Sequence, residues 1–187
     1  MKYLLCSFLL LSAFVVTAQN SETAEEKKRY KHNFGLGAGM TTGIGFSYRY
    51  MPDKLGAQVN FIPIIVNDSE VLVNPGVSFL YSVQRGRKVD FYLYQANSFL
   101  FNQRVFDDFS SDPMDIDSQR EFTTVERTYN HGLGVGFEFL IGNQFAIDVM
   151  SGMRYFHRYD SRRDDYYADE SRYGVTASIE TSIHYKF

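Results

Sequence analysis

Several residue types that serve in chemical sites occur in this chain, but their spacing assembles none of those sites. Ser151, His157 and Asp160 could supply a nucleophile, a base and an orienting acid for acyl transfer, although nothing in their spacing distinguishes them. His131, His157 and His184 fall in separate segments without the spacing of metal ligands. The sequence therefore predicts no enzyme, no metal site and no cofactor.

An acidic stretch comes nearest to a cation site. Asp112, Asp115 and Asp117, with Asp107 and Asp108 nearby, could offer carboxylate oxygens to a calcium ion. The stretch lacks the glycine and the closing glutamate of an EF-hand loop. A solvated loop is the favoured interpretation, and a calcium site is the alternative.

Charged residues of both signs recur on the polar side of the predicted strands described below. If that side lines an enclosed interior, the charges must be paired, because an isolated buried charge is costly. We therefore predict a salt-bridged polar plug, with a proton or ion path along the same residues as the alternative; the side on which His184 lies is left open. The predicted lumen charge network is Arg49, Asp90, Glu138, Asp148, Arg154, Glu180 and Lys186.

The segments that position these side chains alternate in polarity with period two. In the last of them, 173–187, the odd-numbered residues are mainly apolar and the even-numbered ones are polar, charged or small. Successive strand side chains point to opposite faces, so this is a strand with one apolar and one polar side. The same pattern predicts eight strands, at 33–40, 43–51, 55–65, 71–83, 89–101, 126–141, 144–158 and 173–187. Pro63 suggests a bulge or an early end in the third of them.

The connections between the segments alternate in length. Short turns are predicted at 52–54, 85–87 and 142–143, and long charged connections at 102–124 and 159–170. The loop at 67–69 is intermediate, and the first connection, at 41–42, is unexpectedly short for its side. Outer-membrane barrels have short periplasmic turns and longer outer loops. Aromatic residues cluster near the short turns, as expected of a girdle at one membrane interface. The predicted girdle is Tyr50, Tyr81, Phe91, Phe139 and Phe145.

A soluble antiparallel barrel of the lipocalin-like kind would also alternate, with its apolar side inward. Three features favour a membrane barrel instead. Glycines repeat on the polar side, at 35, 37 and 39 and at 132, 134 and 136, where they suit a crowded interior. Several segments exceed ten residues, whereas strands of globular proteins average about five or six. The chain ends on an outward-facing Phe187.

The first eighteen residues have the organisation of a cleaved secretory signal peptide. Lys2 precedes the apolar run Tyr3 to Val16, and small residues up to Ala18 offer a cleavage site before Gln19. A transmembrane anchor is the alternative, but the run is shorter than the roughly 20 residues that a spanning helix needs. Residues 19–32 are predicted to be a short polar periplasmic tail before the barrel at 33–187.

Charge and cysteine content narrow the class of protein further. The only cysteine, Cys6, lies in the predicted signal peptide, so the mature chain would contain no disulfide or thiolate metal site. The net charge of -3 argues against nucleic acid as a partner, since such partners require a basic face. The length of 187 residues suits a single domain.

With its signal peptide, its eight alternating segments and the ending SIHYKF, the chain resembles the small outer-membrane β-barrel family of OmpA/OmpX type, in the version common in Bacteroidota. The resemblance covers about residues 33–187. It implies an all-β fold, an eight-stranded antiparallel up-and-down transmembrane β-barrel. It also implies that Ile183, Tyr185 and Phe187 form the signal read by the barrel-assembly machinery during insertion.

That family is functionally mixed, so the resemblance implies a location in the bacterial outer membrane and no single activity. We expect a non-enzymatic structural or interaction protein without a cofactor. The expected partners are outer-membrane lipids or lipopolysaccharide, the barrel-assembly machinery and other envelope proteins. The alternatives are an accessory subunit of a larger secretion or transport complex, a small pore, and an outer-membrane enzyme.

Overall fold

The computed structural model of the chain describes residues 30–62, 65–67, 70–108, 120–162 and 170–187. The predicted signal peptide and most of the predicted periplasmic tail lie outside these residues. No helix among the described residues is long and apolar enough to cross a membrane. The strands are β1 (His32–Gly39), β2 (Gly43–Tyr50), β3 (Leu55–Phe61), β4 (Ile65–Asn67), β5 (Glu70–Val73), β6 (Gly76–Arg85), β7 (Val89–Asp108), β8 (Arg120–Ile141), β9 (Phe145–Arg162) and β10 (Glu170–Lys186).

Eight of these strands close into a barrel. Each pairs antiparallel with its neighbour in the order β1, β2, β3, β6, β7, β8, β9 and β10. The ring closes where β10 pairs with β1, from Asn33 opposite Lys186 to Ala38 opposite Thr181. The predicted eight-stranded antiparallel up-and-down barrel is confirmed.

The predicted strand at 71–83 is interrupted once, at residues 74 and 75, because Pro75 has no backbone N–H to donate to the ladder. The parts on either side, β5 and β6, both pair with β7 in one register, and the Phe99 N–H donates to the Pro75 carbonyl at 3.0 Å. The predicted strand at 55–65, for which Pro63 suggests a bulge or an early end, stops at Phe61 as β3. Strand β4 pairs with β5 as β3 pairs with β6, so the hairpin of β4 and β5 extends the wall formed by β3 and β6.

The long connections predicted at 102–124 and 159–170 are wrong over much of their length. The β7–β8 ladder continues to Asp108 opposite Arg120, and β9 and β10 pair up to Asp160 opposite Glu170. These strand ends extend beyond the short β1 and β2, so water can reach both of their faces. Polarity then no longer alternates along the strand, and this removes the signal on which the sequence prediction depends.

The burial pattern of this barrel is the reverse of that in a water-soluble fold. Among the described residues, twenty polar or charged residues are buried against six hydrophobic ones, while thirty large hydrophobic residues are exposed. Inward positions on β7 and β10 are buried, and the residues between them face outward. The core of the barrel is thus polar and its outer surface is apolar.

Candidate functional site

An ion-pair cluster occupies the lumen near the short-turn end of the barrel. Arg49 is 1% exposed, and its Nη1 donates to Glu138 Oε2 at 2.7 Å and to Asp148 Oδ1 at 2.9 Å. Lys186 forms a second ion pair with Glu138. The remaining Arg49 nitrogens, Nε and Nη2, donate to Gln58 Oε1 at 2.8 and 2.6 Å. Two cations and two carboxylates therefore balance, and the buried guanidinium is held on all sides.

Asp148 connects this cluster to a chain of neutral groups. Its carboxylate accepts hydrogen bonds from Tyr92 Oη at 2.9 Å and from Ser182 Oγ at 3.3 Å. His184 Nδ1 lies 2.9 Å from Asp148 Oδ2, and the carboxylate requires a donor there. In a neutral His184 the other nitrogen, Nε2, is then an acceptor, and Ser47 Oγ donates to it at 2.8 Å.

Ser47, His184 and Asp148 are thus connected in the same order as the triad of acyl-transfer enzymes. All three residues are 0% exposed, so no substrate reaches the hydroxyl in this structure. Asp148 also pairs with Arg49, which orients the carboxylate as part of the ion-pair cluster. The arrangement fixes side-chain orientations across the lumen and offers no open face for catalysis.

Gly136 on β8 makes room for Tyr92 of β7. Tyr92 and Tyr94 lie opposite Gly136 and Gly134 in the ladder, and both side chains point into the lumen. A Cβ at Gly136 would lie 2.3 Å from the Tyr92 ring, so no larger residue fits without displacing it. The other glycines of the repeat on β8 lie close to other neighbours: Gly134 to the backbone of Ser151 and Gly152, and Gly132 to Thr41.

The turn between β1 and β2 covers the lumen on the side away from the ion-pair cluster. Thr41 and Thr42 donate their backbone N–H groups to the two carboxylate oxygens of Glu180, at 3.1 and 3.0 Å. The Thr41 hydroxyl also donates to Glu180, and Ser98 Oγ donates to the Met40 carbonyl at 2.5 Å. Thr41 and Thr42 are buried, so this turn is folded inward over the lumen.

The seven residues of the predicted lumen charge network all lie on inward positions, but only four form one cluster: Arg49, Glu138, Asp148 and Lys186. Glu180 binds the inward turn. Asp90 accepts from the Gly86 N–H at 2.9 Å, and Arg154 Nε donates to Asn130 Oδ1 at 2.8 Å.

Several lumen contacts were missed in the sequence interpretation. His184, whose side was left open, is fully buried between Asp148 and Ser47. Gln58 and Tyr92 were not singled out either, although both occupy inward positions of predicted strands. Their inward positions in the alternating pattern were one signal that both side chains lie in the lumen. For Tyr92, the glycine that lies opposite on β8 is a second signal.

The aromatic residues of the predicted girdle lie on the outer surface at the short-turn end. Tyr50, Tyr81, Phe139 and Phe145 are exposed, while Phe91 is partly covered by the ring of Phe137, 5.2 Å away. The three residues of the predicted assembly signal also face outward and are exposed: Ile183, Tyr185 and Phe187.

The other candidate sites do not assemble. His157 Nε2 lies 2.9 Å from Ser171 Oγ, not beside Ser151, and Asp160 is bound by Arg158. Within the described residues, no group of three or more His, Cys, Asp or Glu could hold a metal ion. The predicted calcium ligands Asp112, Asp115 and Asp117 lie outside the described residues.

Comparisons with known proteins add a likeness of fold. The structure is similar to a major outer membrane protein of Thermus thermophilus, with 16% sequence identity and a TM-score of 0.48, over 86% of this chain and all of that one. No protein-family model matches the chain, and no curated protein matches it. A likeness at this level does not transfer a function.

The contact between Glu180 and the inward turn leads to a prediction. In Glu180→Gln one carboxylate oxygen becomes an amide NH₂, which cannot accept from the turn. Hydrogen bonds to a charged acceptor contribute about 1.5–3 kcal/mol, so amide exchange at Thr41 and Thr42 should accelerate by roughly tenfold or more. NMR-detected exchange in detergent micelles measures this. Glu170→Gln, at an exposed ion pair with Arg172, is the matched control and should leave both rates unchanged.

Proposed function

We propose that the chain is an integral β-barrel protein of the bacterial outer membrane, with a structural or interaction role and with the long strands facing the exterior. The observation that carries the proposal is the reversed burial pattern. An apolar surface of this extent cannot face water without aggregation, whereas it matches the hydrocarbon core of a bilayer. Where all eight strands pair, the ring satisfies its backbone groups internally, as lipid requires.

Aromatic residues support the same placement and give it a direction. Exposed Tyr and Phe side chains ring the short-turn end, as at the interfaces of membrane barrels. Short turns characterise the periplasmic side, so β7 to β10 would extend outward from the cell. Ion pairs such as Arg158 with Glu126 and Asp160 lie on those outer parts and suit contact with water, lipopolysaccharide or other proteins.

We further propose that the barrel is neither an enzyme nor an open pore. Ser47 and His184 are buried, and Glu180 holds the inward turn across the lumen. A fluorophosphonate probe should leave Ser47 unlabelled in the folded protein, and planar bilayers should show no conductance steps above background. Labelling that Ser47→Ala abolishes would contradict the first statement, and reproducible steps the second.

Membrane placement is tested by cell fractionation combined with gel mobility. The protein should partition with the outer membrane, and the unboiled sample should migrate differently from the boiled one. Deletion of Phe187 should lower the folded fraction if the end of β10 is the assembly signal. A fully soluble protein with identical mobility in both lanes would refute the proposal.

A further inference from the structure

The inner face of the long strands β7 to β10 continues beyond the inward turn as a polar surface. Arg154 lies on this face of β9, between Gly132 on β8 and Thr176 on β10 in the ladder. The space at Gly132 is taken by Thr41 of the turn, since a Cβ there would lie 2.4 Å from the Thr41 Oγ1, whereas Thr176 is exposed. Arg154 is therefore placed where the buried turn meets water.

The guanidinium of Arg154 is held in one orientation by neutral groups. Its Nε donates to Asn130 Oδ1 at 2.8 Å, and its Cζ lies 4.8 Å from the centroid of the Phe156 ring. That ring lies against Gly174, where a Cβ would be 2.9 Å from two ring atoms. Asn130 is fixed in turn, because its Nδ2 donates to Ser98 Oγ at 3.0 Å. The sequence thus orients this arginine without using an acid.

Arg154 lacks the carboxylate partner that the other arginines of this face have. Where the structure describes their side chains, these arginines form the ion pairs Arg104 with Glu70, Arg158 with Glu126 and Asp160, and Arg172 with Glu170. Among the described residues, no carboxylate pairs with Arg154, and only its Nε donates a hydrogen bond. Glu180, farther along the same face of β10, already accepts from both N–H groups of the inward turn. The Nη1 and Nη2 groups are therefore available to a ligand.

We propose that Arg154 binds an oxyanion, a phosphate or a carboxylate, carried by a solute that enters the barrel from the end with the long strands. The proposal goes beyond the structural role proposed above and requires only the folded barrel. A guanidinium presents its donors in a planar fork that matches two oxygens of such an anion. Charge-assisted hydrogen bonds of this kind are about twice as strong as neutral ones. Thr176, exposed beside Arg154, can donate its hydroxyl to the same anion.

The test uses the folded full-length barrel in detergent micelles, in a buffer without phosphate or carboxylate. Inorganic phosphate is titrated, and its binding is followed by NMR from the backbone amide of Thr176. We expect Arg154→Gln to bind phosphate at least roughly tenfold more weakly, because the charged donors are lost. Arg172→Gln removes the same charge from the same face, at an exposed ion pair, and is the matched control that should keep the affinity of the unsubstituted barrel.

A second titration identifies the source of the anion. A free solute and the phosphorylated head group of lipopolysaccharide offer the same oxygens to Arg154. If the head group occupies the site, lipopolysaccharide added to the micelles will weaken the apparent affinity for inorganic phosphate, and Arg154→Gln will not show this competition. An affinity that lipopolysaccharide leaves unchanged assigns the site to a free solute.

Three results would overturn the inference. One is the absence of a phosphate-dependent shift in the unsubstituted barrel, and another is equal phosphate affinity in Arg154→Gln. The third is failure of Arg154→Gln to fold, by gel mobility, while Arg172→Gln folds, which would make the guanidinium a structural group. Cell fractionation tests the proposed function separately, so a membrane-inserted barrel that does not bind phosphate refutes only the anion site.

Discussion

Replacing Arg49 with methionine is expected to lower the free energy of unfolding by about 3–5 kcal/mol, or to prevent the barrel from folding. The guanidinium is the shared partner of Glu138 and Asp148, both buried in the lumen. Methionine fills a similar volume but leaves one of the two carboxylates without a cation. Urea titration of the barrel in lipid vesicles, followed by gel mobility, measures the loss.

A second substitution distinguishes charge imbalance from lost packing. In Arg49→Met with Asp148→Asn, the remaining Lys186 and Glu138 still balance. The asparagine oxygen can accept from Tyr92, and its NH₂ can donate to Nδ1 of a neutral His184. We expect this double variant to recover at least half of the lost stability, because neutral replacement of a buried ion pair is often tolerated. Equal instability of the single and double variants would show that charge pairing does not organise the lumen.

Replacing Gly136 with valine is expected to destabilise the barrel by about 1–3 kcal/mol or more, the usual cost of overpacking a core. The new Cβ would overlap the Tyr92 ring, which must then move and give up its hydrogen bond to Asp148. Thermal unfolding, followed as the temperature at which the folded band disappears from gels, reports the effect.

A double-mutant cycle with Tyr92→Ala provides the control for Gly136→Val. If the clash with the tyrosine ring causes the loss, valine at position 136 should cost much less in the Tyr92→Ala background, with a coupling energy of about 1 kcal/mol or more. Purely additive effects would mean that a clash with the Tyr92 ring does not cause the loss.

The closed barrel could be predicted from the sequence because most strands alternate in polarity. Alternation persists wherever one face of a strand contacts the polar lumen and the other face an apolar medium. In β8, Leu133 and Val135 alternate with glycines, which is the pattern that predicts a strand. Strand β8 includes the whole predicted segment at 126–141. The same alternation of positions along each strand placed Arg49, Glu138 and Asp148 on the inner side. Turn chemistry located the short connections, as at Gly142, whose φ of 66° suits glycine.

Other features depend on contacts between distant strands and could not be read from the sequence. The ladder from 102 to 108 against 120 to 126 lacks alternation, and the break between β5 and β6 leaves their shared register with β7 intact. The alternation places Ser47 and His184 on the inner face of their strands, but it does not indicate that the two side chains are in contact. The burial of Thr41 and Thr42 follows from Glu180, which lies some 140 positions along the chain.

The outer surface of the barrel is apolar, and the proposed membrane placement requires this surface to face lipid. The predicted mature chain has no cysteine, so single cysteines at Val149, on the outer surface of β9, and at Lys54, in a short turn, can carry a bimane fluorophore. In vesicles, lipids brominated at mid-chain should quench the label at position 149 but not at 54, and aqueous iodide should do the reverse. Iodide quenching at position 149 without any effect of brominated lipid would contradict the claim.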